Sequence, residues 1–349
     1  MGIKIILLII FFAVMAAVGI YSRRHVTSVD GFVLGGRSVG PWLTAFAYGT
    51  SYFSAVVFVG YAGQFGWKYG IASTWIGIGN ALIGSLLAWV VLGRRTKVMT
   101  QHLGSRTMPD FFGERYKSKS LKITASVIVF VFLIPYTASV YNGLSRLFAM
   151  AFNIPYTWCV VTMAAFTALY VILGGYMATA INDFIQGIIM LIGIVAVIAA
   201  VLNGQGGFMN AIAEMAKIPS DVPLTQGQPG AFTSFFGPDP VNLLGVVLLT
   251  SLGTWGLPQM IGKFYAIKDE KSISTGTIIS TIFAIIISGG CYFLGGFGRL
   301  FDSPEIYDKA GGAVVYDSII PHMLSMLPDL LIGYKKPLSN RSKCFPQPR

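Results

Sequence analysis

The sequence predicts an all-α protein that crosses a membrane many times, with two of its crossing helices interrupted. Three observations predict this. Of its 349 residues, 54% are hydrophobic and only 11% charged, against roughly 25% charged in an average soluble domain, and mean hydropathy is +0.68. Apolar runs recur at lengths near the roughly 20 residues that cross hydrocarbon as a helix. Two of these runs carry polar residues, glycine or proline in their middles, where lipid offers backbone groups no partner.

Eight full spans are expected, at about 2–21, 41–66, 71–93, 121–150, 156–174, 179–202, 240–261 and 275–297, with 319–333 starting a ninth. The first run has the length and small-residue end of a signal peptide, but Arg23 and Arg24 follow it directly and favour a retained helix. The second, VGPWLTAFAYGTSYFSAVVFVGYAGQFG from Val39 to Gly66, places Tyr48, Gly49, Thr50, Ser51, Tyr52 and Ser54 at bilayer depth. It fits a helix that loosens at Gly49–Ser51 and frees carbonyls for an ion. It fits equally a continuous helix whose small residues allow close packing. The fourth span carries Pro135, Tyr136, Ser139, Tyr141 and Asn142 as a polar patch. In the seventh, Gly253, Gly256 and Pro258 come in close succession, and proline removes a donor and clashes with the preceding turn.

Interrupted second and seventh spans lie five apart, the spacing of an inverted-repeat transporter whose first repeat is spans two to six. With the N-terminus outside, the inner segments 22–40, 93–122, 175–178 and 262–273 hold fourteen basic residues and the outer segments five. That asymmetry sets the orientation, and it accounts for the net charge of +11 without a nucleic-acid partner. Segment 94–120 reads as a cytoplasmic loop and 203–239 as an external one with a short amphipathic piece, Met209–Ala216. Of fourteen acidic residues, only Asp183 lies within an apolar run. A carboxylate at that depth is costly and points to function; beside Asn182 it equally suits a cap at the start of its span. Cys159, Cys291 and Cys344 form no disulfide framework, and His25, His102 and His322 are isolated. No nucleophile–base–acid set is present, so nothing reads as an enzyme, and no organic cofactor is implied.

FVLGGRSVGPWLTAF before the second span, GGYMATAINDFIQG entering the sixth and GLPQMIGKFYAIKDEKS leaving the seventh resemble the sodium:solute symporter family. That family includes bacterial proline, pantothenate and sialic acid symporters and the sodium–glucose cotransporters. The resemblance covers residues 1–333. It implies a LeuT-like inverted-repeat fold, with the first repeat complete and the second partial, after an extra first helix. It also implies Na⁺-coupled symport of a small organic solute (pantothenate-, amino-acid- or other carboxylate-like) by alternating access across a bacterial plasma membrane. Carried over, the main sodium site uses carbonyls of Thr50 and Phe53, with Ser54 beside them. Asp183, followed by Gln186 and Gly187, serves a second sodium site or the ion's inward path. Na⁺ is the only metal implied. The solute then lies against spans two, four and seven, at Ser51, Tyr52, Ser54, Tyr136, Trp255 and Gln259. Proline symporters carry Asp where Tyr52 stands, and sugar transporters carry Gln where Val57 stands; both departures argue against direct transfer of those solutes. Residues 334–349 form a basic, proline-containing tail where the family has its next core helix. This reads as a chain cut within its second repeat, and the alternative function is a non-transporting fragment. The oligomeric state is left open.

Overall fold

The computed structural model describes residues 2–327 apart from 153 and 309–311, and these residues are helical with short connections. Helix α1 (Gly2–Ser22) is followed by the short α2 (Val29–Leu34). The second span is α3 (Pro41–Tyr52), a π-helical stretch (Val56–Tyr61) and α4 (Ala62–Tyr69). The chain turns at Gly70, whose φ of 61° is left-handed, the region glycine enters without steric cost. It continues as α5 (Thr74–Gly79), π-helical turns over Asn80–Leu87 and Trp89–Gly93, and α6 (Arg94–His102). Then come α7 (Met108–Tyr116), α8 (Lys119–Phe152), α9 (Tyr156–Gly204) and α10 (Phe208–Ala216). The seventh span is α11 (Pro240–Leu252) and α12 (Pro258–Ala266). The eighth is α13 (Glu270–Ala284), a π-helical turn and α14 (Gly290–Gly295), and α15 (Tyr316–Ser325) follows. The expected ninth span, 319–333, runs past the described residues, and the tail 334–349 lies outside them.

Among the described residues, five helices are long and apolar enough to cross a membrane, and α11 with α12, bent by 52°, forms a sixth candidate. Large apolar side chains on α8 stand exposed, Phe130 at 70% and Phe132 at 69%. Hydrocarbon is the environment that makes such a surface stable.

The structure corrects the sequence reading in three places. Segment 94–120 is not an open loop but holds α6 and α7, the latter capped by Thr107 Oγ1 accepting from the Asp110 N–H at 3.3 Å. Residues 175–178 are helical, so the connection expected there narrows to Gly175, with φ 56° and ψ −148°. The chain reverses at that residue: Phe166 meets Phe12 at 4.6 Å, and Gln186 comes back to Met15 at 3.6 Å. Lys263, counted above as an inner-loop charge, lies inside α12 and is 7% exposed.

Spans three and eight run antiparallel, with Ser85 and Ser280 hydroxyls 2.8 Å apart and Gly77 facing the backbone of Ser288 and Gly289. The start of span two and the end of span seven are tied to each other. Lys268 N–H donates to the Val39 carbonyl at 2.9 Å and Val39 N–H to the Ala266 carbonyl at 3.3 Å. The fully buried Lys97 donates to the Ile267 carbonyl, where the negative end of α12 favours a cation. Arg299 holds segment 203–239 by pairing with Asp221 at 2.6 Å and lying 3.9 Å over the Phe232 ring.

Helix α13 begins at Asp269, whose side chain accepts the Ser272 N–H at 2.8 Å. That bond to the ionised form holds the Asp269 carboxyl below its ordinary range. A depressed carboxyl adds stability above its unfolded pKa and loses it as pH falls through the folded value. Asp269→Ala is therefore expected to lower the thermal midpoint at neutral pH. The deficit should close in acid, as wild type loses the same cap; melting curves across pH check this.

Candidate functional site

The interruption in span two falls three residues later than Gly49–Ser51. Gly49 stays helical because α3 packs tightly there: an added Cβ would overlap the Phe283 ring. The helix ends at Tyr52, and Phe53 leaves helical geometry at φ −100° and ψ 62°. Its N–H closes on the Gly49 carbonyl at 2.8 Å, and bonding resumes only at the Ser54 carbonyl, which accepts from Val57 and Phe58. The last carbonyls of a helix have no partner within it. Among the described residues no N–H donates to the carbonyls of Thr50, Ser51, Tyr52 or Phe53. Four backbone oxygens are thus released at one bend, inside protein.

Asp183 of α9 lies beside Thr50 in the last turn of α3, whose hydroxyl donates to the Phe46 carbonyl at 2.9 Å. The Asp183 Oδ2 lies 3.5 Å from Lys263 Nζ of α12. Three helices therefore meet at one carboxylate. The approach is close because Gly187, one turn on, faces Phe46, where a Cβ would sit 2.5 Å from the ring. Phe46 packs against Phe184 and Phe283 at 4.8 and 5.1 Å, walling the site in apolar surface. Among the described residues no three His, Cys, Asp or Glu side chains converge. The donor set is one carboxylate with backbone and hydroxyl oxygens, all hard ligands, and it fits a monovalent hard cation.

The remaining candidates divide in two. Tyr136 and Gln259 line one cavity of about 700 Å³, together with Phe132, Gly256, Leu257 and Pro258. The amide atoms of Gln259 are buried and have no hydrogen-bond partner among the described residues. This cavity opens beside the N-terminus of α12, after Leu257 turns extended. By contrast, the Tyr52 hydroxyl donates to the Thr250 carbonyl at 2.9 Å and Trp255 Nε1 to the Ile83 carbonyl at 3.1 Å. Those two tie spans two, three and seven together. Ser51 and Ser54 flank the bend and are half-buried.

Two features escaped the sequence reading. One is Lys263, a basic residue in the apolar run MIGKFYA, which signals exactly as Asp183 does. The other is Asn80, 1% exposed. Its Oδ1 lies 2.9 Å from the Thr250 hydroxyl and 3.1 Å from that of Ser251, and its Nδ2 lies 3.5 Å from the Ser288 hydroxyl. A lone Asn in an apolar run carried the hint, but its partners are far away in sequence.

Paired broken helices with polar groups near their interruptions are the architecture of inverted-repeat membrane folds. The chain belongs to the sodium:solute symporter family, which it matches over residues 32–333. It is 33% identical over 331 residues to sodium/proline symporter 2 of Staphylococcus saprophyticus, covering 91% of this chain and 61% of that one. Against the sodium/proline symporter of Staphylococcus aureus strain NCTC 8325 it is 33% identical over 276 residues, covering 77% and 51%. The chain thus spans half to three-fifths of the length of these relatives. A solved structure of a Na⁺-coupled sialic acid symporter, in a substrate-bound outward-open state, superposes with a TM-score of 0.72 at 17% identity. That match covers 93% of this chain and 65% of the other. The fold is the LeuT-like inverted repeat, and the protein is a multi-pass membrane protein.

Proposed function

We propose that this chain forms the ion- and solute-binding part of a Na⁺-coupled symporter for a small organic solute, working by alternating access in a plasma membrane with its N-terminus outside. The observation that carries this reading is the meeting of Asp183 with Thr50 and Lys263 where α3, α9 and α12 pack together, in the turn before the break at Phe53. In it, Na⁺ exchanges its water for carbonyls of Thr50 and Phe53, and Asp183 supplies the negative charge nearby. The solute occupies the cavity of Tyr136 and Gln259, with Ser51 and Ser54 on the ion side and Tyr52 and Trp255 holding the wall. The N-terminus of α12 favours a carboxylate there through its dipole. The sodium/proline relatives support an amino-acid-like solute, while Tyr52 and the breadth of the family keep pantothenate and sialic acid in play. The test is purified chain in proteoliposomes under an inward Na⁺ gradient, with radiolabelled proline, pantothenate and sialic acid. Saturable uptake of one of them, lost when K⁺ replaces Na⁺, is expected; uptake indifferent to Na⁺ contradicts the reading.

The orientation rests on the basic asymmetry, which stays lopsided with Lys263 removed from the count. Single cysteines in 203–239 are expected to react with an impermeant reagent on intact cells, and one at position 110 only after the inner face is opened. The reverse pattern would invert the topology.

A further inference from the structure

We propose that Lys263 is a tethered cation that competes with Na⁺ for Asp183 and so sets the protein's sodium affinity. This rests on the sodium reading above and adds a residue to it. Lys263 lies five residues into α12, 7% exposed, and Asp183 is the carboxylate it pairs with. An ammonium held at that depth needs a countercharge, so in the absence of Na⁺ the pair is each group's natural state.

The pair is loose. Nζ lies 3.5 Å from Oδ2, beyond the 2.7–2.9 Å typical of a seated charge-assisted bond. Nζ also sits 5.2 Å from the centroid of the Tyr176 ring, a face that attracts a cation. The ammonium therefore has two resting places, the carboxylate and the ring. The flexible four-carbon stem of lysine lets it shift between them. Asp183 meanwhile lies beside Thr50, in the last turn of α3 before the break at Phe53. One carboxylate thus serves two cations that approach from different helices.

At a carboxylate only partly exposed and walled by Phe46 and Phe184, two cations sharing it repel each other more than they would in water. Sodium arriving at the carbonyls of Thr50 and Phe53 weakens the hold of Asp183 on Lys263, which withdraws toward Tyr176. The link between α9 and α12 loosens as the ion binds. α12 is the inner half of the broken seventh span and is tied at its far end to Val39 and Lys97. Ion occupancy is thereby felt by the inner halves of both interrupted helices.

The test is equilibrium binding of ²²Na⁺ to the purified chain in lipid nanodiscs, with wild type, K263Q, K263R, D183N and the double variant D183N/K263Q. The proposal expects K263Q to bind Na⁺ about tenfold tighter, and K263R to stay near wild type. In the D183N background, K263Q should bring no gain. Because K263Q leaves a partly buried carboxylate uncompensated, its thermal midpoint is read in Na⁺ and in K⁺; Na⁺ should stabilise it more than it stabilises wild type. Unchanged or weaker binding by K263Q, with D183N impaired, overturns the competition and leaves the sodium site standing. Wild-type affinity in D183N, or no saturable binding by any variant, overturns the sodium reading and the competition with it.

Discussion

Replacing Asp183 by Asn is expected to raise the Na⁺ concentration for half-maximal solute uptake by at least about tenfold, with little change in solute preference. The substitution keeps the side chain's shape and its reach to Thr50 but removes the one negative charge where α3, α9 and α12 meet. Hydrogen bonds to charged groups contribute about 1.5–3 kcal/mol, and each 1.4 kcal/mol is a factor of ten in affinity. The cavity of Tyr136 and Gln259 is lined by α7, α8 and the interruption of span seven, and Asp183 is not among its walls. Solute choice should therefore survive. Uptake that kept the wild-type sodium dependence would reduce Asp183 to a structural partner of Lys263.

The largest structural effect is expected at Gly66. A Cβ there would overlap the backbone of Gly295, and one on Gly295 would overlap the backbone of Ala62. Spans two and eight touch main chain to main chain, the contact that small residues permit in lipid. Gly66→Leu cannot be absorbed by a rotamer change, because the neighbour is backbone. Overpacking in a core costs about 1–3 kcal/mol when side chains can yield, and here none can. The expected result is loss of the monodisperse peak in size-exclusion chromatography. Gly193→Leu, where a Cβ meets nothing within 4 Å, should elute as wild type does.

What was legible in the sequence was what depends on local composition. Apolar length marks the spans, Pro258 marks the break in the seventh, and an isolated carboxylate marks Asp183. The break at Phe53 was placed too early because glycine signals both flexibility and close approach. Gly49 serves the second purpose, against Phe283, while Phe53 carries no local sign of its irregular backbone. Lys263 was hidden by its neighbours Lys268 and Lys271, which made the whole stretch look like a solvated inner loop. The helix at 108–116 had its cap and early proline in plain view as Thr107 and Pro109, outweighed by the density of charge. The Asn80 cluster joins residues about 170 and 208 positions apart, and no spacing along a chain announces such a pairing.

The proposed cation site lies between the break at Phe53 and Asp183, which approaches α3 at Thr50. It is tested most directly by a structure determined with Tl⁺ in place of Na⁺, read by anomalous scattering. The account predicts a peak enclosed by the carbonyls of Thr50 and Phe53 on the side facing Asp183, abolished by an excess of Na⁺. A well-ordered bend with no peak there, or a Na⁺-displaceable peak only elsewhere in the protein, would contradict it.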